Sequence, residues 1–212
     1  NVDDSILVSA ASNDRISALL VDPTDNNVLY VGTNNGKVIR ITNPRTEDVT
    51  SELLFNRNGF LRNIEVDPSN NNRLLCTYSN FNVQSVFYSA DRGENWRSLE
   101  GDLPDIPVRW SVFSPGNREE VVIATEVGIW KTLITSSSIQ WENISGPVGI
   151  GRVSMLKYRD GDQQMLAASY GRGMFTTNQF AKAGLRFESS RLEIEIAGEI
   201  NNTYCDPVSV ES

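Results

Sequence analysis

Four arginines recur along the chain, each a short distance before a polar turn. They are Arg15, Arg62, Arg109 and Arg152. A guanidinium group can hold a carboxylate, sulfate or phosphate through two parallel hydrogen bonds. Two of the arginines stand seven residues before their turn and two stand five. Both spacings are odd, so strand alternation predicts that the four side chains share one face and converge on an anion. The alternative is that each arginine pairs with an Asp or Glu of a neighbouring repeat.

Aromatic residues accompany these arginines near predicted strand ends. Trp110 adjoins Arg109, and Tyr170 and Phe60 lie close to other strand ends. An aromatic face beside a few polar donors is typical of a small-ligand site, including one for a sugar ring. The alternative is that these rings form core between repeats. The candidate ligand-binding residues are therefore Arg15, Arg62, Arg109, Trp110, Arg152 and Tyr170.

Other kinds of site chemistry have less support. The chain contains no histidine, which removes the commonest acid/base at neutral pH and the commonest transition-metal ligand. The turn segments 22–26 and 159–163 carry oxygen groups that calcium could use, but they lack the twelve-residue spacing of an EF-hand loop. Turn chemistry explains these segments better. We therefore expect no metal, no cofactor and no histidine-dependent catalysis.

The overall charge of the chain disfavours anionic partners. The net charge is −8 at pH 7, so the phosphate backbone of a nucleic acid and an anionic membrane would both be repelled at long range. No apolar run approaches the roughly 18 residues that a transmembrane helix needs. We expect neither nucleic-acid binding nor membrane insertion.

The two cysteines lie in different parts of the chain. Cys76 is predicted mid-strand, where it would behave as a small buried hydrophobe. Cys205 lies in the tail, where a disulfide to a more distant partner is expected if the protein is secreted.

The polar turns and apolar runs around the arginines repeat along the chain. The turn segment 21–26 is echoed at 66–71, at 113–117 and more faintly at 158–162, in steps of 45, 47 and 45 residues. Apolar runs follow each turn at 28–33, 74–78, 121–125 and 165–169. A repeat of this length, with several strands in each copy, is typical of a β-propeller blade. Nearly continuous apolar runs fit strands that are buried on both faces.

The sequence therefore predicts an all-β fold of antiparallel, four-stranded blades. The predicted units are the end of a preceding blade (1–12), four blades (13–48, 49–101, 102–146 and 147–178) and a module that begins at 179. Strict alternation of apolar and polar residues over 192–196 predicts that this last segment, 179–212, is the start of a β-sandwich. The four blades would form the C-terminal arc of a propeller with six to eight blades or more.

One octet, residues 89–96, reads as a β-hairpin corner, with turn residues followed by a large aromatic. Its key residues are Ser89, Asp91, Gly93 and Trp96. The octet resembles the Asp-box of sialidases, xyloglucan-cleaving enzymes, sortilin-like receptors and photosystem assembly factors. The resemblance implies a structural corner and leaves the activity open.

Three further segments, 103–110, 124–130 and 168–175, resemble the closing blades of bacterial surface proteins with sortilin-like or BNR/Asp-box propellers. Many proteins of that kind are exported by type IX secretion, so the resemblance implies a secreted or cell-surface bacterial protein. The tail is similar to the Calx-beta or immunoglobulin-like modules that follow such propellers. Tyr170 stands where that family usually has a histidine before Gly-Arg-Gly.

Two classes of function follow. The first is a non-enzymatic propeller scaffold that presents a surface to an extracellular glycan or protein, with adjoining blades and C-terminal modules of the same polypeptide as its structural partners. The second is a glycoside hydrolase, either sialidase-like, with an arginine triad and a tyrosine nucleophile, or xyloglucanase-like, with two aspartates. No Tyr-Glu pair stands out at the predicted strand ends. We favour the scaffold.

Overall fold

The structure is a computed structural model that describes residues 14–159 and 164–178, together with the backbone of residues 188–189, 195–196 and 199–200. In this part of the chain every regular element is a β-strand except for one short 3₁₀ turn, Gly146–Val148. Residues 1–12 and most of 179–212, where a preceding blade and a β-sandwich are predicted, lie outside the described residues.

The strands form four consecutive four-stranded sheets. Sheet 1 contains β1 (Ile16–Val21), β2 (Val28–Thr33), β3 (Lys37–Thr42) and β4 (Thr50–Asn56). Sheet 2 contains β5 (Leu61–Val66), β6 (Leu74–Tyr78), β7 (Val86–Ser89) and β8 (Arg97–Ser98). Sheet 3 contains β9 (Val108–Phe113), β10 (Glu120–Thr125), β11 (Gly128–Leu133) and β12 (Glu142–Asn143). Sheet 4 contains β13 (Val153–Arg159), β14 (Gln164–Ser169), β15 (Met174–Thr177) and β16 (Glu188–Ser189). A separate pair joins β17 (Glu195–Ile196) to β18 (Glu199–Ile200).

Each of the four sheets is an antiparallel meander whose strands pair in chain order. The first strands lie side by side, because β1 contacts β5, β5 contacts β9 and β9 contacts β13. The sheets therefore radiate outward from a row of first strands. Sheet 4 continues past residue 178, since Phe175 pairs with Ser189 and Thr176 pairs with Glu188.

The hydrophobic core lies between the sheets rather than inside any one of them. Tyr30 and Val38 of sheet 1 pack with Leu61 and Ile64 of sheet 2. Further clusters join sheet 2 to sheet 3 and sheet 3 to sheet 4. Because the strands in the middle of each sheet face two neighbours, all five residues of β6 are buried.

One face of sheet 1 breaks this pattern of burial. The registers place Val21 opposite Leu29 and Val66 opposite Leu74, so positions in β1 correspond to positions 45 residues later in β5. In β5, Leu61, Ile64 and Val66 are 0%, 2% and 2% exposed and pack toward sheet 1. The corresponding residues of β1 are Ile16, Leu19 and Val21, which are 56%, 61% and 53% exposed. Among the described residues, no sheet covers this face, which we call the leading face of sheet 1.

Glu65 on β5 makes the stability of this interior depend on pH. Burial raises the pKa of Glu65 to about 7 from its ordinary value of 4.5, although Lys157 and Arg118 act to lower it. Between these two pH values the unfolded chain ionises first, so the free energy of unfolding falls as the pH rises. We expect the Glu65→Gln variant to match the wild type at pH 4 and to exceed it in stability at pH 8, measured by urea unfolding. A constant difference across this range would contradict the assignment.

Candidate functional site

Four backbone hydrogen bonds mark the same end of the four sheets. In each, the residue just after the second strand of a sheet donates its N–H to the carbonyl of the residue just before the first strand, which is the innermost one. The bonds are Asn34 to Arg15 at 2.9 Å, Ser79 to Phe60 at 3.0 Å, Glu126 to Pro107 at 3.2 Å and Tyr170 to Arg152 at 2.8 Å. We call this end the upper rim and define it as residues 14–15, 34–36, 57–60, 79–85, 105–110, 125–128, 149–152 and 170–173, together with Arg62. The turns 22–27, 67–73 and 114–119 lie at the opposite, lower end.

Each innermost strand carries a β-bulge next to the upper rim. The register shifts place the extra residue at Ser17, Arg62, Arg109 and Ser154. Arg62 and Arg109 are therefore bulge residues, whereas Arg15 and Arg152 lie two residues before the bulge of their own strand. A bulge interrupts the two-residue alternation of a strand. The unbroken alternation on which the spacings of seven and five relied is therefore absent, and a shared face for all four arginines stays a prediction.

Two of the four arginines meet at the junction of sheets 3 and 4. Arg109 donates from Nε to Oε1 of Glu126 at 2.6 Å, and its terminal nitrogen binds the same oxygen. Arg152 lies close by, with its Nε 3.7 Å from that oxygen. The Arg152 guanidinium stacks over the Tyr170 ring at 5.1 Å from the ring centroid. We call Arg109, Glu126, Arg152 and Tyr170 the arginine cluster.

The other two candidate arginines lie on sheets 1 and 2. Arg15 is exposed, and its backbone N–H donates to the Asn34 side chain at 2.6 Å. Arg62 is half-buried, and its Nε is buried without a hydrogen-bond partner in the described structure. A further cation, Arg172, approaches the arginine cluster from the β14–β15 turn and donates to the Val148 carbonyl at 3.2 Å.

The aromatic candidates differ in how far they are exposed. Tyr170 is 73% exposed on the upper rim. Trp110 is half-buried and packs against the core between sheets 3 and 4, as its alternative interpretation expected. The sequence analysis missed Phe81, which is 59% exposed on the same rim. Its signal was a large apolar residue inside the polar insert 79–82, where no core position is expected.

The rim loop that carries Phe81 is held in place by side-chain amides and carboxylates. Phe60 donates its backbone N–H to the Asn80 side chain at 2.5 Å, and Asn82 donates its own to the Asp105 carboxylate at 2.7 Å. Asn82 adopts a φ of 59°, which asparagine tolerates better than most residues. The exposed ring therefore stands on an ordered loop.

The octet 89–96 forms the corner between β7 and β8, on the outer side of sheet 2. Ser89 Oγ accepts from the Gly93 N–H and donates to Asp91 Oδ1, both at 2.8 Å. Asp91 Oδ1 also accepts from the Asn95 N–H at 2.9 Å. Trp96 donates from Nε1 to the Gly93 carbonyl at 2.8 Å and stacks on Phe55 of sheet 1. The bonds of these residues close the corner and attach it to the neighbouring sheet.

We expect Asp91→Ala to lower the melting temperature at pH 7, because it removes the acceptor for Ser89 and Asn95. The hydrogen bonds from Asn95, first that of its side chain, lower the pKa of Asp91 below its ordinary 3.8. The carboxylate therefore stabilises the fold above pH 3.8, and this contribution is lost as the pH falls through the folded-state pKa. Thermal melts at pH 7 and pH 3 should show a smaller difference at the lower pH. Loss of ligand binding with an unchanged melting temperature would contradict a structural role.

At the lower end, two buried aspartates organise the turns after β1 and β5. Asp67 Oδ1 accepts from the Ser69 N–H at 2.9 Å and from its hydroxyl at 2.7 Å, and Asp22 makes the same pair of bonds with Thr24. Arg73 lies 3.3 Å from the second oxygen of Asp67. In the described part of the chain, no group of three or more Cys, Asp or Glu side chains is placed to hold a metal ion. Residues 160–163 lie outside it.

Two other expectations concern cysteines and membranes. Cys76 is a free thiol buried in β6, and burial raises its pKa far above the ordinary value. Cys205 lies outside the described residues. Across the described ranges, no helix is long and apolar enough to cross a bilayer.

No family model matches the chain, and no curated protein matches it. A GH74 enzyme from Niastella koreensis aligns over 81% of this chain and 29% of its own, with a TM-score of 0.59 and 16% identity. The Swd1 β-propeller domain from Myceliophteria thermophila aligns over 76% of this chain and 51% of its own, with a TM-score of 0.57 and 15% identity. An auxiliary nutrient binding protein from Bacteroides thetaiotaomicron aligns over 76% and 37%, with a TM-score of 0.58 and 9% identity.

The chain thus spans between 29% and 51% of the length of these structures. Identities this low carry the fold alone. The structural alignments and the four radiating meanders together confirm the predicted all-β architecture. The four sheets are antiparallel blades of a β-propeller.

Proposed function

We propose that this chain is part of a non-enzymatic propeller scaffold, secreted or displayed on a bacterial surface, whose upper rim binds an extracellular glycan or protein. The observation that carries the proposal is that exposed aromatic rings and guanidinium groups occur together at this end of the blades. Phe81 and Tyr170 offer exposed rings on this rim, which also carries Arg62, Arg109 and Arg152. Aromatic contact area combined with a few oriented polar donors is the usual composition of a binding site.

The carboxylates of the described rim support binding rather than hydrolysis. Asp14 bonds to Lys37 at 2.6 Å, Asp105 accepts from the Asn82 N–H, and Glu126 is engaged by Arg109. A glycosidase needs two carboxyl groups that face the scissile bond, one of which holds a proton. Carboxylates held by cations or N–H donors are poorly suited to that pair of roles. A propeller-type glycoside hydrolase, sialidase-like or xyloglucanase-like, remains the alternative.

The leading face of sheet 1 supports a scaffold with more blades than four. Its Ile16, Leu19 and Val21 occupy the positions that blade 2 buries against blade 1. An adjoining blade of the same polypeptide would bury this apolar face in the same way, which is favourable at about 25 cal/mol per Å² of apolar surface.

An array of acidic and neutral glycans, incubated with the full polypeptide, tests the proposal. We expect binding without release of shortened products. Binding should weaken at least tenfold in Phe81→Ala and Tyr170→Ala, with little change in melting temperature, because both rings are exposed. Leu133→Ala removes an exposed apolar side chain at the lower end of β11 and should leave binding unchanged. Turnover of any glycan would establish the hydrolase alternative instead.

A further inference from the structure

The arginine cluster holds two cations on a single carboxylate oxygen. Arg109 reaches Glu126 Oε1 with two of its nitrogens, and Arg152 lies 3.7 Å from the same oxygen. Two guanidinium groups and one carboxylate leave one positive charge in excess. This excess stands out in a chain whose net charge is −8, and it lies on the rim rather than in a buried core.

Donor groups in this cluster exceed the acceptors that the described structure supplies. A guanidinium has five N–H donors and no acceptor. Arg152 Nε is buried and makes no hydrogen bond, because Glu126 lies just too far from it and is already engaged by Arg109. A buried donor without a partner is costly. The Arg152 side chain is nevertheless 35% exposed, so an acceptor from solution can reach its outer nitrogens.

An apolar surface adjoins these donors. Tyr170 stacks against Arg152 and is nevertheless 73% exposed. Ile150, two residues before Arg152, is 81% exposed. A ligand that carries an acidic group on a sugar ring would therefore meet a cation and an apolar surface side by side.

We propose that the arginine cluster is an anion subsite for a singly charged carboxylate or sulfate group on a glycan, and that Glu126 is the residue that limits its affinity. The inference rests on the proposed binding function of the rim. Glu126 occupies the position that an external anion would take, so the ligand competes with an internal carboxylate. Like charges held near one another in a partly buried site repel more strongly than they do in water. Removing the charge of Glu126 releases both guanidinium groups for the ligand.

The test follows the arginine Nε–H resonances of the full chain by NMR during titration with sodium sulfate and, separately, sodium acetate. Chloride keeps the ionic strength constant, because exposed charges are screened by salt. We expect saturable shifts at Arg109 and Arg152. Glu126→Gln should tighten binding at least tenfold, Arg152→Gln should abolish it, and Arg109→Lys should weaken it, because lysine keeps the charge but loses the fork.

A matched control is the ion pair between Arg40 and Glu52, which lies on β3 and β4 with a separation of 2.6 Å. Glu52→Gln frees a guanidinium away from the rim and should leave the affinity at the cluster unchanged. Thermal melts identify any variant that fails to fold. If Arg152→Gln does not fold, Arg109→Lys tests the cluster in its place, because lysine keeps the positive charge.

The inference is overturned if Glu126→Gln shows no saturable shift, or if Arg152→Gln binds the anion as the wild type does. Its failure is distinguishable from failure of the proposed function, because neutral glycans would still bind at Phe81 and Tyr170. If acetate and sulfate bind equally well, matched uronic-acid and sulfated sugars separate the two sources of the negative charge.

Discussion

Asp67→Ala is expected to lower the free energy of unfolding by about 3–5 kcal/mol, the range found when one partner of a buried ion pair is removed. The side chain is fully buried, accepts two hydrogen bonds from Ser69 and lies 3.3 Å from Arg73 and 3.9 Å from Arg118. Arg118 belongs to the next blade, so the substitution also weakens a contact between blades. Urea unfolding followed by tryptophan fluorescence measures the loss.

A matched control for this prediction is Glu119→Ala. Glu119 lies 3.2 Å from the same Arg73 but is 46% exposed at the side chain. Exposed ion pairs contribute about 0–1 kcal/mol, so this variant should lose little. Asp67→Asn keeps an acceptor for Ser69 and removes the charge, which separates the turn from the ion pair. Equal losses in Asp67→Ala and Glu119→Ala would show that burial does not give Asp67 its importance.

Gly36→Ala is expected to lower the free energy of unfolding by about 2–6 kcal/mol, since backbone strain and overpacking each cost about 1–3 kcal/mol. Gly36 has a φ of 86°, and a Cβ there would lie 1.8 Å from the carbonyl oxygen of Arg57. Its own carbonyl accepts from the Tyr78 hydroxyl at 2.9 Å, across the junction of blades 1 and 2. Any shift that relieves the clash therefore disturbs that junction.

The equivalent test without the clash is Gly171→Ala. Gly171 has a φ of 80°, and no atom lies within 4 Å of an added Cβ. Only the backbone strain of a left-handed residue remains, about 1–2 kcal/mol. The difference between the two variants, measured by urea unfolding, isolates the close approach at Gly36. If both lose the same free energy, the contact with Arg57 has no energetic weight.

The blades could be predicted from the sequence because their middle strands are buried on both faces. The apolar runs at 28–33 and 74–78 coincide with β2 and β6, and those at 121–125 and 165–169 each fall one residue short of β10 and β14. Polar turns separate these runs at nearly constant spacing. In two of the turns, Asp22 and Asp67 make the same hydrogen bond to a backbone N–H two residues later. The repeat could be recognised because each blade uses the same sequence of polar turn and buried strand.

The bulges could not be predicted, and they decide where the arginines lie. The bulge residues are two serines, Ser17 and Ser154, and two arginines, Arg62 and Arg109. They have no single residue type in common, because a bulge is a property of the register between two strands. Counting residues back from a turn assumes unbroken alternation. That assumption does not hold in these strands. The structure nevertheless brings Arg109 and Arg152, one from each spacing, together at one carboxylate.

Glu126, like Phe81, is a site residue that the sequence pattern did not indicate. It follows the second strand of blade 3 at the position that Tyr170 occupies in blade 4, as the rim hydrogen bonds show. Aligning the four repeats at this position would have placed an acidic side chain beside Arg109. Its pairing with Arg152 still depends on how adjacent blades pack, which periodicity alone does not determine.

Hydrogen exchange with a bound ligand tests most directly whether the upper rim is the binding surface. The ligand is the glycan that binds most tightly on the array, and the full polypeptide is compared with and without it by mass spectrometry. We expect slower exchange in the rim segments 57–60, 79–85, 125–128 and 170–173 and no change in the lower turns 22–27, 67–73 and 114–119. Slower exchange in the lower turns or at the corner 89–96, with the rim unchanged, would contradict this expectation.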